Sequence, residues 1–349
     1  MLTEKFIVDK DQPNQQMIER AAQLLKQGKV VAFPTETVYG LGANGLDGQA
    51  VAKIYQAKGR PSDNPLILHI ANQQEVIPLV TVIPANAQVL MDKYWPGPLT
   101  VILKKTNRVP DIVSGGLDTV AVRLPASIIA RQLIALAGVP IAAPSANTSG
   151  RPSPTSAQAV LADLDGRIEA IIDGGLCDIG VESTVVDCTT PVPTLLRPGG
   201  ITLEMLMDTL GEIELAPVLD GSPECAPRSP GMKYTHYAPA APMILFEGTY
   251  PFIADQIVEK ITEALVAGQT VGAVVSAETA QRLPTTVVTA VYGQRQNPAE
   301  IAANLYTILR SFDDNPVEII YAEGIPETGL GLAVMNRLRK ASGYRIMKE

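Results

Sequence analysis

The stretch Val30-Val31-Ala32-Phe33-Pro34-Thr35-Glu36-Thr37-Val38-Tyr39-Gly40-Leu41 runs from a purely apolar segment into a polar bend. Four consecutive apolar residues ahead of a proline predict a strand that is covered on both faces of a sheet. Upstream, apolar residues recur at helical spacing from Gln15 to Gln27, and Gly28 follows as a helix-ending residue. A helix that leads into a buried strand is the repeating unit of an α/β domain, so this stretch predicts that class of fold.

The same alternation of apolar patterns continues to about residue 210. Short apolar runs predict further strands, and longer runs with helical spacing predict helices between them. Many strands with interspersed helices indicate a large and mixed sheet. We predict helices over residues 48–57, 128–137 and 157–164, and strands over residues 66–70, 99–103, 120–124, 141–143, 171–173, 183–187 and 194–197.

The pattern changes after about residue 210. Prolines then become frequent and periodicity is lost, which is typical of a connecting segment. A simpler alternation follows and predicts a smaller, Rossmann-like α/β/α unit. We therefore expect a large α/β domain over residues 1–210, a linker over 211–241 and a second domain over 242–349. In the second domain we predict strands over residues 243–246, 271–275, 286–288 and 317–321, and helices over residues 253–266, 298–312 and 330–341.

Composition places the chain among well-buried globular proteins. Of its 349 residues, 46% are hydrophobic and only 18% are charged, and this length is expected to divide into two domains. The net charge is -8: residues 1–208 carry 17 basic against 20 acidic groups, and residues 209–349 carry 11 against 16. Neither part has the basic excess that sequence-independent nucleic-acid binding requires, although a local basic pocket is compatible with these totals.

Cysteine and histidine are scarce. Cys177, Cys188 and Cys225 form no C-x-x-C pair, and His69 and His236 are the two histidines of the chain. These numbers argue against a structural zinc site and favour a reduced, intracellular protein. The sequence has no apolar stretch of membrane-spanning length and does not begin with a signal peptide, so we expect a cytoplasmic protein without a membrane segment.

The segment Gly40-Leu41-Gly42-Ala43-Asn44-Gly45 matches the G-x-G-x-x-G pattern of dinucleotide-binding folds. Those folds place the first glycine at the end of a strand, so that a helix N-terminus meets the pyrophosphate. Here six residues separate Phe33 from Gly40, and the correctly spaced Asp63 lies in a proline-rich loop. We therefore reject the dinucleotide-binding interpretation, and the chain contains no G-x-x-x-x-G-K-[ST] phosphate loop either.

Two polar bends suit a polyphosphate. Lys58-Gly59-Arg60-Pro61-Ser62 and Pro144-Ser145-Ala146-Asn147-Thr148-Ser149-Gly150 each follow a regular element, in a setting where side chains can face a ligand. Two cations neutralise phosphate charge, and short hydroxyl and amide groups orient the ligand. Thr35-Glu36-Thr37 follows a buried strand, and we expect it at the carboxyl edge of the sheet, where α/β proteins bind ligands. The sequence indicates a nucleotide site.

These motifs together resemble the YrdC/Sua5 family, in which Lys-x-Arg paired with Ser-x-Asn is a signature. The resemblance covers essentially the whole chain. It includes Thr35–Leu41, Ser183-Thr184-Val185-Val186-Asp187 and the linker Ser229-Pro230-Gly231-Met232-Lys233-Tyr234-Thr235-His236-Tyr237-Ala238-Pro239. It implies a YrdC-like twisted mixed sheet with helices, followed by a smaller Sua5 C-terminal domain.

The resemblance also implies an activity. Such proteins make threonylcarbamoyl-adenylate and pyrophosphate from L-threonine, bicarbonate and ATP, with Mg²⁺ expected on the phosphates. Partner proteins then transfer the threonylcarbamoyl group to adenosine 37 of tRNA. The carbamate oxygen attacks the α-phosphate, so the reaction needs alignment and charge neutralisation and no enzyme nucleophile.

The site residues implied by the resemblance fall into three groups. Lys58 and Arg60 are assigned to catalysis, on the phosphates and the developing negative charge. Threonine is assigned to Thr35, His69, Arg123, Ser145 and Ser183, with the substrate carboxylate on Arg123. ATP is assigned to Lys58, Arg60, Ser62, Thr119, Asn147, Thr155, Arg197, Tyr234, His236 and Tyr237.

Each assignment has a plainer alternative. Lys58 and Arg60 could be solvated loop cations, and Arg123 could form an internal salt bridge. His69 could be a core histidine with satisfied hydrogen bonds, and Thr155 could cap a helix. We favour the ligand for Arg123 and leave His69 evenly balanced.

The aromatic residues of the linker suggest a lid. Tyr234, His236 and Tyr237 could fold over the nucleotide and protect a labile product from water. The alternative is a proline-stiffened spacer whose aromatic rings pack on either domain. For the second domain we expect a regulatory or docking role.

Two other functions compete with the synthase. A concave basic groove could bind tRNA or double-stranded RNA without any adenylation, although the net charge and an aromatic content of 5% argue against it. A carbamoyl-transfer accessory domain would use carbamoyl phosphate instead, and the sequence alone leaves that function open.

Overall fold

The computed structural model describes residues 2–217 and 236–349. The described residues fall into two compact units, one made of residues 2–149 and 153–217 and the other of residues 150–152 and 236–349. Cys225, Tyr234 and most of the predicted linker lie outside the described residues.

The first unit is built around one sheet, which has eleven strands among the described residues. Parallel and antiparallel neighbours both occur, so the predicted mixed α/β fold is confirmed. In chain order the strands are β1 (Glu4–Ile7), β2 (Val31–Phe33), β3 (Gly40–Asn44), β4 (Ile67–His69), β5 (Leu99–Lys104), β6 (Thr119–Arg123), β7 (Ile141–Ala142), β8 (Ala170–Asp173), β9 (Thr184–Asp187), β10 (Thr194–Arg197) and β11 (Glu214–Leu215).

The helices of this unit begin and end at capping residues. The carboxylate of Asp47 accepts hydrogen bonds from the N–H groups of Gln49 and Ala50, and the hydroxyl of Ser127 accepts one from Ala130. Gly59 takes the left-handed conformation that ends a helix, with φ of 63°. The described helices are α1 (Gln15–Lys26), α2 (Gly48–Lys58), α3 (Ala85–Tyr94), α4 (Asp111–Ser114), α5 (Ile128–Ala137), α6 (Ala157–Leu164) and α7 (Leu203–Leu210), with a 3₁₀ helix at Gln73–Leu79.

The order of the strands is β1-β8-β2-β3-β7-β4-β6-β5-β9-β10-β11, which places β2 inside the sheet. Successive side chains around β2 contact different cores. Val31 and Phe33 belong to the core that also holds residues of α1 and α5, whereas Val30 and Ala32 belong to the core on the other face. The uninterrupted apolar run therefore marks a strand buried on both faces, as predicted.

The G-x-G-x-x-G segment lies almost entirely within β3, which pairs antiparallel with β2. Its glycines serve close packing. A Cβ atom on Gly42 would lie 2.8 Å from side-chain carbons of both Phe33 and Ile141, and one on Gly45 would lie 2.8 Å from the carbonyl oxygen of Pro140. These contacts explain the glycines without a bound phosphate and support the rejection of the dinucleotide-binding interpretation.

The second unit is a doubly wound sheet. Its five described strands are all parallel, which confirms the predicted Rossmann-like class. From one edge of the sheet to the other, they begin at residues 288, 271, 319, 243 and 346. None of the helices among residues 2–217 and 236–349 combines the length and apolar character needed to cross a bilayer. The elements are β12 (Met243–Glu247), α8 (Phe252–Val266), β13 (Val271–Val275), α9 (Ala277–Ala280), β14 (Val288–Val291), α10 (Pro298–Asp314), β15 (Ile319–Glu323), α11 (Gly331–Ala341) and β16 (Ile346–Lys348).

Two strands of the second unit begin two residues later than predicted. The N–H of Val287 closes a turn with the carbonyl of Pro284, so β14 begins only at Val288. The N–H of Glu318 bonds to the carbonyl of Thr270, and β15 begins after it. The elements that the sequence analysis missed are β1, β3, β11, β16, α3, α4, α7 and α9.

The packing around β3 yields a stability prediction. Gly42→Ala should lower the free energy of unfolding of the first unit by about 1–3 kcal/mol, because the added methyl has to displace core side chains. Urea unfolding followed by the fluorescence of Trp95, the single tryptophan of the chain, measures it. Gly48→Ala is the matched control, since a Cβ there meets Ile112 at 3.6 Å and helix α2 gains an alanine. Equal stability of the two variants would contradict the packing argument.

Candidate active site

Five polar side chains form a row across five neighbouring strands of the first sheet. His69 ends β4 and pairs with Arg123 at the end of β6, and Arg123 lies opposite Thr100 of β5. Ser183 directly precedes β9, and Arg197 ends β10. Residues that lie opposite each other in paired strands project from the same face, so His69, Arg123 and Thr100 begin one polar strip.

Arg123 is tightly bound at the centre of this strip. Its Nη2 donates to Oε1 of Glu36 at 2.7 Å, its Nη1 to Oγ1 of Thr37 at 2.9 Å and its Nε to the carbonyl of Gly97 at 3.3 Å. The internal ion pair, which was the alternative for this residue, is therefore present. Each terminal nitrogen carries a second N–H for which the described residues provide no acceptor, so Arg123 can also hold a carboxylate.

His69 lies beside Arg123 as a neutral ring. It is 4% exposed, and burial first, with the charge of Arg123 second, lowers the pKa of its imidazole to about 3. Nδ1 is 3.2 Å from the carbonyl of Ile67, and since a carbonyl only accepts, Nδ1 carries the hydrogen. The backbone of Ile141 also interacts with the ring, so His69 has protein partners of the kind that the core interpretation expects, and a ligand contact of this ring stays a prediction.

Ser183 and Arg197 extend the strip on the other side of Arg123. The hydroxyl of Ser183 is 2.7 Å from that of Thr100 and accepts a hydrogen bond from Nη2 of Arg197 at 3.1 Å. Nε of Arg197 donates to the carbonyl of Ser183 at 3.0 Å. The three side chains are buried, so the structure brings Ser183 and Arg197 together, and their contacts with threonine and ATP stay predictions.

A second group joins the Lys-x-Arg and Ser-x-Asn motifs directly. Nζ of Lys58 donates to the carbonyls of Ser145 and Asn147, each at 2.5 Å, and lies 3.5 Å from Oδ1 of Asn147. The hydroxyl of Ser145 donates to that same Oδ1 at 2.5 Å. Lys58 is 1% exposed and is the last residue of α2, so it is neither a solvated cation nor part of the bend.

The two groups lie at different ends of β4, so the polar bends do not all lie at one edge of the sheet. β7 runs antiparallel to β4 with Ile141 opposite His69, so Ser145 lies beyond the other end of β4. The segment between Thr35 and Tyr39 connects them. Its first part contacts Arg123, whereas the peptide of Tyr39 bonds to Ala146 and Pro154.

Comparison with known proteins identifies the family. Residues 23–199 match the Sua5/YciO/YrdC family model, whose description is telomere recombination, and residues 201–343 match the model of the threonylcarbamoyl-AMP synthase C-terminal domain. The chain belongs to the Sua5/YrdC family. It is 52% identical over 331 residues to the threonylcarbamoyl-AMP synthase of Pyrococcus abyssi, covering 95% of each chain. It is 49% identical over 343 residues to that of Bacillus subtilis, covering 98% of this chain and 97% of the relative.

Solved structures agree with this Sua5-type assignment. P. abyssi Sua5 complexed with L-threonine is similar to the chain with a TM-score of 0.94 and 50% identity, over 99% of this chain and all of that one. Escherichia coli YciO is similar to 57% of this chain, with a TM-score of 0.52 and 26% identity over 96% of its own length. The YrdC part and the Sua5 part are thus both represented.

The other predicted ATP residues of this Sua5-family chain are scattered. Nη2 of Arg60 donates to the carbonyl of Pro65 at 3.3 Å, and Ser62 is exposed in the same loop. Thr119 begins β6, at the opposite end of that strand from Arg123. Thr155 is buried two residues before α6 starts, and the N-cap of that helix is Ser156 instead.

The predicted lid residues His236 and Tyr237 belong to the second unit. The ring of Tyr237 packs against Tyr306 with centroids 5.2 Å apart, and the guanidinium of Arg337 lies 6.0 Å from its centroid. Tyr237 adopts a positive φ of 66°. Tyr234 lies outside the described residues, so closure of the linker over the nucleotide stays a prediction.

Two residues of the Sua5-family site received no role from the sequence. Glu36 is the ion-pair partner of Arg123. Asn64 is 1% exposed in the loop that follows Lys58 and Arg60, and its Oδ1 has no hydrogen-bond partner among the described residues. A polar side chain between two prolines of a cation-bearing loop was visible in the sequence, but its burial was not.

Among the described residues of this chain, no group of three or more His, Cys, Asp or Glu side chains lies close enough together to coordinate a metal ion. Nor do these residues offer a reactive thiol. Burial raises the pKa of Cys188 to about 12 and raises that of Cys177 further. Both cysteines are buried and pack as small apolar residues of the core.

The neutral His69 yields a prediction of pH dependence. Below pH 6.5 the unfolded chain binds a proton at this histidine, whereas the folded chain does so only near pH 3, so stability falls as the pH falls. Between pH 7 and pH 5 the wild-type first unit should lose about 2 kcal/mol more than His69→Gln. Urea unfolding followed by Trp95 fluorescence tests this, and parallel losses in the two proteins would contradict a neutral buried ring.

Proposed function

We propose that this chain is a threonylcarbamoyl-AMP synthase, a nucleotidyltransferase that converts L-threonine, bicarbonate and ATP into threonylcarbamoyl-adenylate and pyrophosphate. The near-full-length identity of 52% and 49% to two synthases carries the proposal. The complex of P. abyssi Sua5 with L-threonine supports an amino-acid pocket in this family. The product would serve the modification of adenosine 37 of tRNA by downstream transfer proteins in the cytoplasm.

The buried strip supplies the threonine pocket in this proposal. Arg123 holds the substrate carboxylate through the N–H groups that Glu36 and Thr37 leave available. The amine and the side-chain hydroxyl of threonine form hydrogen bonds with Nε2 of His69 and with the hydroxyls of Thr35 and Ser183. Threonine is thereby fixed while its amine combines with bicarbonate to form the carbamate.

The Lys58 group and Arg60 supply the phosphate side. Lys58 fixes the Ser145–Asn147 turn through two carbonyl oxygens and adds a positive charge beneath it. Arg60, Thr155 and Arg197 are three further ATP contacts in this proposal, and Mg²⁺ arrives with ATP on its phosphates. An in-line displacement at the α-phosphate needs this alignment and charge neutralisation, which explains why no thiol, hydroxyl or imidazole nucleophile is required.

Asn64 adds a contact to the nucleoside. An unsatisfied buried acceptor costs about 1–3 kcal/mol, so a ligand donor is expected to meet it. Phosphate oxygens donate nothing, whereas the adenine amino group and the ribose hydroxyls do. The carbonyl of Asn64 accepts from the hydroxyl of Tyr55 at 3.0 Å, which holds the residue in place.

The activity is tested by pyrophosphate release from the full chain with Mg²⁺ and ATP, with L-threonine and bicarbonate each supplied or omitted. Release should require both. Lys58→Ala should lower kcat/KM by about 100-fold or more, because the turn and the charge are lost together. Lys26→Ala removes an exposed lysine from the end of α1 and should leave the rate unchanged. Release that ignores threonine would contradict the synthase.

Asn64→Ala should raise KM for ATP by roughly tenfold, the effect of losing one buried hydrogen bond to a ligand. The variant should also discriminate less than the wild type between ATP and one of two analogues, 2′-deoxy-ATP or purine riboside triphosphate, which each lack one donor. Competition assays with the two analogues identify the group that Asn64 contacts. Unchanged discrimination against both analogues would exclude the adenine amino group and the ribose 2′-hydroxyl as the donor to Asn64.

A further inference from the structure

Glu36 is held on both sides of its carboxylate. Oε1 accepts from Nη2 of Arg123 at 2.7 Å, and Oε2 accepts from the N–H of Ser127, where α5 begins, at 3.4 Å. The peptide oxygen of Glu36 accepts from the N–H of Ile179 at 2.9 Å. The side chain is only 10% exposed, so its position is fixed by three separate parts of the fold.

The charge of Glu36 has one partner among the described residues, the guanidinium of Arg123. The other two acceptors of Arg123, the hydroxyl of Thr37 and the carbonyl of Gly97, are neutral. An arginine that is 3% exposed and lacks a counter-charge would move toward water or draw water in. The carboxylate therefore fixes both the charge state and the orientation of the guanidinium.

We propose that Glu36 is a positioning residue that acts through Arg123, holding the guanidinium so that its remaining N–H groups meet the carboxylate of the amino-acid substrate. The inference rests on the proposed function, because that function assigns the substrate carboxylate to Arg123. Glu36 itself touches no substrate atom. The Arg123–Glu36 pair is electrically neutral as a unit, which suits an amino acid that is itself a zwitterion.

Two effects of removing this charge have opposite signs. If Glu36 only competed with the substrate carboxylate for Arg123 and repelled it, neutralising Glu36 would let threonine bind more tightly. If Glu36 positions Arg123, neutralising Glu36 would let the guanidinium leave its orientation, and threonine would bind more weakly. The sign of the change in threonine affinity therefore distinguishes the two roles.

Glu36→Gln keeps the shape and an acceptor oxygen but removes the charge. We expect KM for L-threonine to rise roughly 30-fold or more, whereas KM for ATP stays within about twofold. Glu36→Asp keeps the charge on a shorter side chain and should recover part of the affinity. Glu259→Gln, on the exposed face of α8, makes the same chemical change elsewhere and should have no effect. Unchanged or tighter threonine binding in Glu36→Gln would overturn the proposal.

A double-variant cycle shows whether Glu36 acts through Arg123. Calorimetric titration with L-threonine should show that Glu36→Gln greatly lowers the threonine affinity in the wild-type background. The same change should lower it no further in the Arg123→Ala background. Additive losses would mean that Glu36 contacts threonine directly, which also overturns the proposal. Trp95 fluorescence in each variant confirms that the first unit remains folded.

Failure of the proposed function and failure of the positioning role of Glu36 give different kinetic results. If wild-type protein releases no threonine-dependent pyrophosphate, the proposed function fails. If wild-type protein releases it and Glu36→Gln retains the wild-type KM for threonine, only the positioning role fails.

Discussion

A guanidinium on an interior strand requires a counter-charge, and this requirement organises the first unit. Arg123 ends β6, which is flanked by β4 and β5, and neither neighbour supplies a carboxylate to it. The charge comes from Glu36, which follows β2, with β3, β7 and β4 between the two strands. In a flat sheet β2 and β6 would be about 19 Å apart, and the three residues from the end of β2 to Glu36 reach only about 10 Å. Long side chains and the twist of the sheet therefore have to cover the remaining distance.

The same crossing segment also positions the group around Lys58. After Glu36 the chain continues to Tyr39, whose N–H and carbonyl bond to Pro154 and Ala146, and the N–H of Leu41 bonds to Pro144. This places the Ser145–Asn147 turn where Lys58 can bind two of its carbonyls. The side chains of Arg123 and Lys58 are thus both held by protein oxygens before a ligand binds. Groups that are already oriented need no reorganisation during a reaction, which is the advantage of a preorganised electrostatic site.

The local sequence pattern predicted those helices and strands whose apolar residues are buried in a core. Helices α5 and α6 have the predicted bounds, because their buried apolar residues recur at helical spacing and each helix packs against a single core. Strand β10 also has the predicted bounds, although Leu195 and Leu196 belong to different cores. β3 was missed because its glycines carry no side-chain pattern, and its strand conformation depends on β2 and β7. The pairing of Glu36 with Arg123 joins residues 87 positions apart, and the carbonyls that bury Lys58 belong to a distant turn. Such contacts arise from the tertiary fold, so the resemblance could supply the residues but not their partners.

The protonation states around the site follow from burial and from these fixed charges. Burial alone would raise the pKa of Glu36, but the charge and hydrogen bonds of Arg123, with backbone N–H groups, hold it below its usual value. His69 is neutral down to about pH 3, and burial keeps the hydroxyl of Tyr39 and the thiol of Cys177 protonated. None of these four groups changes its charge between pH 5 and pH 8. These four groups therefore keep the same charges across that range, and the ion pair between Glu36 and Arg123 is present throughout it.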